Sequence, residues 1–236
     1  MRKAFFFDLD GTLLPMDMEM FFQLYFKGVR KSGLFNRISE EQGEEIFSKA
    51  VYEMLANDGR ALNKDVFFQA IENASGVKSD LLMRYMDRFY DNEFKQVKKS
   101  TCTNESVCQI IEELKKKGYR LILATNPVFP RKATDQRIEW AGLLPKDFEY
   151  ISYYDNSSYC KPNPKYYTEI LRNTRLSADE CYIVGNDVAE DMSAVALGFK
   201  GFLVLDHVIG DIRKVPQCDM GDYSKLLDLV RNLQPI

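Results

Sequence analysis

The run FFFDLDGTLL at residues 5–14 constrains this chain more than any other stretch. Its three phenylalanines predict a buried β-strand, and Gly11 and Thr12 predict a turn directly after it. The strand carries Asp8 and Asp10 to its carboxyl end. Two neighbouring carboxylates that are partly removed from water repel each other, so they require a nearby cation. We therefore expect a divalent metal and a phosphate group there, with one carboxylate as nucleophile and the other transferring a proton.

The composition excludes several broad classes of protein. A chain of 236 residues suits one large domain or a core with one inserted module. Its 32 basic and 35 acidic residues give a net charge of −3, which predicts no general affinity for nucleic acid or membranes. Five scattered cysteines without a C-x-x-C pair favour reduced thiols in a cytoplasmic protein over disulfides or a zinc site. No stretch approaches the roughly 20 apolar residues of a membrane helix.

Two regions of the chain differ in how their apolar residues are spaced. Residues 16–98 space their apolar residues three and four apart, which predicts an all-helical block. After residue 99, apolar strands alternate with amphipathic helices; FEYISYY is one of the predicted strands, and residues 188–198 form one of the predicted helices. This alternation predicts an α/β fold with a doubly wound parallel sheet of Rossmann-like type. Because the strand near residue 5 belongs to that sheet, we expect a core of residues 1–15 and 99–236 with an inserted helical cap of residues 16–98.

Polar residues also follow three later strands or their loops. Thr125 and Asn126 follow LILA, Lys161 lies in the loop YCKPNP, and Asp187 and Asp191 follow YIV. In a doubly wound sheet, ligands bind outside the carboxyl ends of the strands. We expect these side chains to meet the first two aspartates in one site for a metal and a phosphoryl group.

Taken together, these stretches resemble the four motifs of the haloacid dehalogenase superfamily, in its phosphatase branch with a helical cap inserted after the first motif. The resemblance rests on D-x-D-G-T-L at 8–13, the strand-end Thr125, Lys161 followed by proline, and D-x-x-x-D at 187 and 191. It implies that Asp8 attacks phosphorus and becomes an aspartyl phosphate. Asp10 then protonates the leaving oxygen and afterwards activates water.

The resemblance assigns further roles at the phosphate. Thr125 and the backbone amide of Asn126 hold phosphate oxygens, and Lys161 neutralises the charge that develops during transfer. Thr125 and Lys161 therefore join the two aspartates of the first motif as predicted catalytic residues.

Mg²⁺ is the predicted cofactor, since it prefers carboxylate, phosphate and water oxygens. Its predicted ligands are Asp8, the carbonyl of Asp10, Asp187 and Asp191. Asp191 either binds the metal through a water molecule or holds Lys161 instead. The family's fourth motif commonly begins Gly-Asp, whereas Asn186 follows Gly185 here. A second register, which uses Asn186 and Glu190, supplies a weaker ligand.

The leading hypothesis is a Mg²⁺-dependent phosphatase that acts on a small phosphorylated metabolite, as a monomer or homodimer, without nucleic-acid or membrane partners. The alternatives are a phosphomutase and a non-catalytic regulatory protein that binds a phosphorylated metabolite. A dehalogenase is disfavoured because Asp10 is the acid that separates phosphoryl chemistry from carbon–halogen chemistry in this family. The cap is expected to close over the site, with hinges near Leu14–Pro15 and Lys99–Ser100, and to supply substrate contacts.

Overall fold

A computed structural model describes residues 3–33 and 40–236, and its centre is a six-stranded parallel sheet. Residues 1–2 and 34–39, which the domain prediction included, lie outside the described residues. In sequence order the strands are β1 (Ala4–Phe7), β2 (Arg120–Leu123), β3 (Tyr150–Ile151), β4 (Cys181–Gly185), β5 (Lys200–Val204) and β6 (Asp219–Gly221). Across the sheet their order is β3-β2-β1-β4-β5-β6.

The central strand explains why the opening run of the sequence is apolar on both faces. β1 pairs with β2 on one side and β4 on the other, and it is fully buried. Alternate side chains point to opposite faces of a strand. Phe5 and Phe7 therefore pack in one hydrophobic cluster, while Phe6 packs in the other. The chain proceeds from β1 first to one side of the sheet and later to the other, and such a reversal opens a crevice at the carboxyl ends of the strands.

Helices cover both faces of the sheet, as predicted. The described α-helices are α1 (Met18–Lys31), α2 (Glu40–Leu55), α3 (Asn63–Ser75), α4 (Ser79–Asp91), α5 (Glu105–Lys116), α6 (Arg131–Trp140), α7 (Pro164–Thr174) and α8 (Tyr223–Asn232). The buried sides of α5, α6 and α8 join the cluster of Phe5, and α7 joins the cluster of Phe6. Both faces being covered is the general condition for a parallel sheet. None of the described helices is long and apolar enough to cross a membrane.

Helices α1 to α4 lie between β1 and β2 in the sequence, followed by a 3₁₀ helix at Glu93–Ser100. The two chain segments that enter and leave this helical segment lie side by side, because Asp17 N donates to Ser100 O at 2.8 Å and Cys102 N donates to Pro15 O at 3.0 Å. The predicted hinges fall at this crossing. The domain limits and the hinge motion stay predictions.

Two local predictions were wrong. FEYISYY was expected to be a full strand, but β3 has two residues because Tyr153 N donates instead to the side chain of Asn156, at 2.8 Å. Residues 188–198 were expected to form one helix. The Asp187 carboxylate instead accepts the amides of Ala189 and Glu190, and only a 3₁₀ helix at Met192–Leu197 follows. A short polar side chain that binds nearby amides competes with regular structure in this way.

Candidate active site

The predicted site residues converge at the carboxyl edge of the sheet. Residues that follow β1, β2 and β4 line one cavity there, namely Asp8, Asp10, Thr125, Asn126, Asn186, Asp187, Glu190 and Asp191. Lys161 reaches the same place from the loop before α7, where its ammonium group contacts two of these carboxylates. The edge therefore contains every residue that the sequence placed in the site.

Lys161 lies between two carboxylates and is buried. Its Nζ donates to Asp8 Oδ1 at 2.7 Å and to Asp191 Oδ1 at 2.6 Å. Although burial by itself lowers the pKa of Lys161, the Asp191 and Asp8 carboxylates hold that pKa well above its ordinary value. The lysine is therefore a fixed positive charge next to the first aspartate.

Two hydrogen bonds and a neighbouring glycine explain the position of the Asp191 carboxylate. Its Oδ2 accepts the backbone amide of Asp187 at 2.9 Å, while its Oδ1 holds Lys161. A Cβ on Gly185 would collide with the Asp191 carboxylate, so glycine at the end of β4 allows this close approach. Of the two roles considered for Asp191, the structure contains the contact with Lys161, and the role as a metal ligand stays a prediction.

Asp10 forms an ion pair that the sequence did not reveal. Arg137 on α6 donates through Nη1 to Asp10 Oδ2, while Asp10 Oδ1 is buried and has no hydrogen-bond partner among the described residues. Burial raises the pKa of Asp10 above its ordinary value, the Arg137 guanidinium opposes that rise, and the negative charge of Asp8 adds to it. Arg137 therefore fixes the Asp10 carboxyl group through Oδ2 alone.

Arg137 is fully buried, with 0% of its surface exposed. Its guanidinium lies 4.2 Å from the ring centroid of Phe129 and also donates to Thr134 Oγ1 at 3.3 Å. A signal for it exists in the sequence: Arg137 shares the helix face of Ala133 and Ile138, which is buried. A cation on a buried helix face needs an anionic partner, and Asp10 is that partner.

Asn126 connects two loops of the site. Its Nδ2 donates to both carboxylate oxygens of Glu190 at 3.1 Å, and its Oδ1 accepts the backbone amide of Lys161 at 3.2 Å. Thr125 is held through its backbone carbonyl, which accepts the Tyr166 hydroxyl at 2.7 Å. Both residues line the cavity beside the carboxylates.

The two residues that could begin the fourth motif have different surroundings. Asn186 is buried, accepts the Thr12 hydroxyl at 2.9 Å and donates to the His207 carbonyl at 2.7 Å. Gly11 packs directly against Asn186, where a Cβ would collide with the asparagine side chain. Its φ of +83° is a second reason for glycine at this position. Asp187 is partly exposed to the cavity and uses Oδ1 to close its own turn. Asn186 thus ties the first motif to the fourth, and Asp187 remains the carboxylate available to a ligand.

The donor set fits a divalent cation. Among the described residues there is no ready-made cluster of three His, Cys, Asp or Glu side chains around a metal position. Mg²⁺ does not need such a cluster, because one or two carboxylates with phosphate and water oxygens suffice. Five carboxylates line the cavity, and two buried cations, Lys161 and Arg137, pair with members of this set. The excess negative charge favours an added cation at this edge.

The fold and the geometry together define an α/β protein with a candidate active site at the carboxyl edge of a parallel sheet. The family model of haloacid dehalogenase-like hydrolases matches residues 2–197, and the chain belongs to that family. A comparison with curated proteins found no match.

Solved structures with the same fold include enzymes of different activities. A phosphatase of this family from Thermococcus onnurineus has a TM-score of 0.62 at 18% identity and covers 99% of this chain and 100% of its own. The Bacillus subtilis hydrolase YfnB, crystallised with magnesium, has a TM-score of 0.58 at 17% identity. Its match covers 98% of this chain and 100% of the YfnB chain. The L-2-haloacid dehalogenase from Xanthobacter autotrophicus has a TM-score of 0.58 at 15% identity. Its match covers 99% of this chain and 100% of the dehalogenase chain. At these sequence identities, the similarity to the solved structures shows a shared fold and not a shared activity.

Proposed function

We propose that this hydrolase is a Mg²⁺-dependent phosphomonoesterase that works through an aspartyl phosphate on Asp8. The observation that carries the proposal is Asp10, a carboxyl group with a raised pKa that Arg137 holds beside Asp8. When the bond between phosphorus and the ester oxygen breaks, the alcohol part of the ester leaves as an alkoxide that needs a proton, and such a carboxyl group supplies one. Halide departure needs no proton, which favours phosphoryl over carbon–halogen chemistry.

The reaction has two steps. An oxygen of Asp8 attacks phosphorus, the bond between phosphorus and the ester oxygen breaks, and that oxygen takes the proton of Asp10. Water then attacks the same phosphorus, Asp10 accepts the proton of the water, and the bond to Asp8 breaks to release inorganic phosphate. Two carboxylates thus divide the roles of nucleophile and acid–base, as the sequence predicted.

The other residues stabilise charge. Lys161 offsets the negative charge that develops on the phosphoryl oxygens, and Thr125 with the amide of Asn126 positions those oxygens. Asp8, Asp187 and the carbonyl of Asp10 are the groups that would hold Mg²⁺, which supplies charge neutralisation to the phosphoryl group when bound. The five cysteines form no disulfide among the described residues, which supports a cytoplasmic location for such an enzyme.

The test measures phosphate release from p-nitrophenyl phosphate with Mg²⁺ and with EDTA, for the wild type and Asp8→Asn. We expect Asp8→Asn to lower kcat by at least about 10⁴-fold, because removal of a nucleophile removes the covalent route. Asp228→Asn, an exposed position on α8, is the matched control. Mass spectrometry of acid-quenched protein gives a second readout, an added phosphate on the peptide of Asp8. Hydrolysis that survives both EDTA and Asp8→Asn would overturn the proposal.

A further inference from the structure

The cavity above the site has a second region that the proposed reaction does not use. It has a volume of about 450 Å³ and extends from the carboxylates of the sheet edge to α1 and α2. Pockets for small organic ligands commonly measure about 300–1,000 Å³. Nine of the residues that line it lie on these two helices, and six apolar ones among them are called the apolar wall: Met18, Phe21, Phe22, Phe47, Val51 and Leu55.

The apolar wall is organised by sequence spacing. Phe47, Val51 and Leu55 are four residues apart, so they share one face of α2. Three members of the apolar wall are exposed to an unusual degree for large apolar side chains: Met18 is 37%, Phe22 50% and Leu55 39% exposed. Apolar side chains that gather on one cavity and stay in contact with water mark a binding surface.

Charge limits what this part of the cavity can bind. Among the described residues that line it there is no lysine, arginine or histidine, whereas five carboxylates line its polar end. A ligand with a second anionic group, such as a carboxylate beyond its phosphate, would place that group near like charges without a counter-charge. The cavity therefore disfavours phosphorylated acids.

Hydrogen-bonding capacity is also low in the apolar region. Among the described residues, its polar side chains are Ser48 and three tyrosines (Tyr25, Tyr90 and Tyr154), and the hydroxyls of Tyr25 and Tyr90 bind each other at 2.9 Å. A sugar or polyol brought against the apolar wall would lose water from several hydroxyls with little replacement, which is costly. Sugar phosphates therefore fit this cavity poorly.

We propose that the substrate is the phosphomonoester of an uncharged, largely apolar alcohol or phenol whose hydrocarbon part lies against the apolar wall. The inference rests on the proposed function for the phosphoryl end. It narrows the substrate class from small phosphorylated metabolites in general to apolar ones, and it places the specificity in α1 and α2.

The first test uses n-alkyl phosphates from ethyl to octyl with Mg²⁺. Their leaving groups have nearly equal basicity, so a change in kcat/KM reports contact with the cavity rather than chemistry. Each added methylene that reaches the apolar wall is expected to raise kcat/KM by roughly fourfold until the cavity is filled. Phosphoglycolate and glucose 6-phosphate are expected to fall below butyl phosphate. Values of kcat/KM that stay flat along the series, or that favour either polar ester, overturn the inference and leave the phosphatase proposal standing.

A second test does not depend on turnover. The affinity of n-alkyl phosphonates, which carry a carbon–phosphorus bond and are not hydrolysed, is measured by calorimetry on the Asp8→Asn variant and the wild type. We expect Kd to fall with chain length in both. If no phosphate ester is hydrolysed but phosphonate affinity still rises with chain length, the phosphatase proposal fails and the apolar ligand class stands. If affinity shows no dependence on chain length, the inference fails.

A pair of variants locates the contact. Phe22→Ser removes a half-exposed ring of the apolar wall, and it is expected to reduce the octyl-to-ethyl ratio of kcat/KM by about tenfold. Tyr52→Ser is the matched control, because Tyr52 is a 72% exposed aromatic residue on α2 that does not line the cavity. It is expected to leave the ratio unchanged. An equal effect of both substitutions would contradict a contact at the apolar wall.

Discussion

The two ends of the cavity are built by different forces. At the sheet edge, Asp8, Lys161 and Asp191 are linked by hydrogen bonds of 2.6–2.7 Å, and each position follows from a partner. At the apolar wall, Phe21 and Phe47 are held by non-directional packing. Directional contacts place the atoms that react, whereas packing selects a shape and a polarity. A change at the first end should therefore alter the chemistry, and a change at the second should alter the choice of substrate.

Among substitutions of the residues that pair with the site carboxylates, the largest effect is expected at Lys161. Lys161→Met leaves Asp8 and Asp191 buried without their shared cation, so we expect a loss of about 3–5 kcal/mol in the free energy of unfolding. We also expect kcat to fall by about 10²–10³-fold, because the charge on the phosphoryl oxygens loses one partner. Urea unfolding and p-nitrophenyl phosphate kinetics measure the two effects.

The control for this change is Lys200→Met, which breaks the half-exposed pair of Lys200 with Asp219. That pair is expected to contribute at most about 1 kcal/mol and nothing to activity. The double variant Lys161→Met with Asp191→Leu should regain stability without regaining activity, since it removes one of the unpaired carboxylates. A single Lys161 variant as stable as the control would contradict the buried triad.

Arg137 should produce the next largest effect. It connects the two ends because it holds Asp10 while its guanidinium packs on Phe129, whose ring contacts Phe21 of the apolar wall. Without Arg137, Asp10 loses the contact that positions it, and the proton transfer to the leaving group suffers. We expect Arg137→Met to lower kcat/KM by about 10²-fold for butyl phosphate but by at most about tenfold for p-nitrophenyl phosphate, because kcat/KM reports the transfer to Asp8 and p-nitrophenolate departs without a proton.

Two further variants separate positioning from folding. Arg137→Lys keeps a cation on the buried helix face and should restore part of the activity toward butyl phosphate. Arg131→Met, at a largely exposed position on the same helix, should change neither rate. Equal losses for both esters in Arg137→Met would mean that the arginine serves the fold alone.

The difference between the two ends also explains what could be predicted from the sequence. The sheet edge was predictable because the polar residues after β1, β2 and β4 interrupt apolar runs, and parallel strands bring their carboxyl ends together. Arg137 was not identified. Its place on the apolar face of its helix was a signal that the sequence analysis did not use, and its partner Asp10 lies 127 residues away. The 3₁₀ helix at Met192–Leu197 was missed for a related reason, since the local contacts of Asp187 override a helical pattern.

The apolar wall was less predictable still. Helical periodicity shows that a residue lies on an apolar face, but it does not distinguish a face that packs on protein from one that faces a cavity. Phe21 and Phe22 are adjacent in the sequence, yet Phe21 is buried and Phe22 is half exposed. Only the placement of α1 against α2 and the sheet edge separates them.

The smallest of these effects is expected where the helical segment meets the core, at Asn63. This residue begins α3 and is fully buried, with Nδ2 donating at 3.3 Å to the carbonyls of Pro127 and Tyr159 and to Cys160 Sγ. Asn63→Ala removes these contacts and leaves buried acceptors without a donor. We expect a loss of about 1–3 kcal/mol in the free energy of unfolding and a looser contact between the helical segment and the core.

Cys160 reports that contact directly. Burial raises the pKa of its thiol to about 12, and its Sγ also contacts the carbonyl of Met54 on α2 at 3.6 Å, so alkylation requires the helices to move away. Asn63→Ala should speed the reaction of Cys160 with iodoacetamide, followed by peptide mass spectrometry, whereas Asn73→Ala on the exposed face of α3 should not. Octylphosphonate should slow it in the wild type, because a ligand that contacts both the sheet edge and the apolar wall stabilises their closed arrangement. A rate that octylphosphonate leaves unchanged would mean that the two ends bind their parts of the ligand without being drawn together.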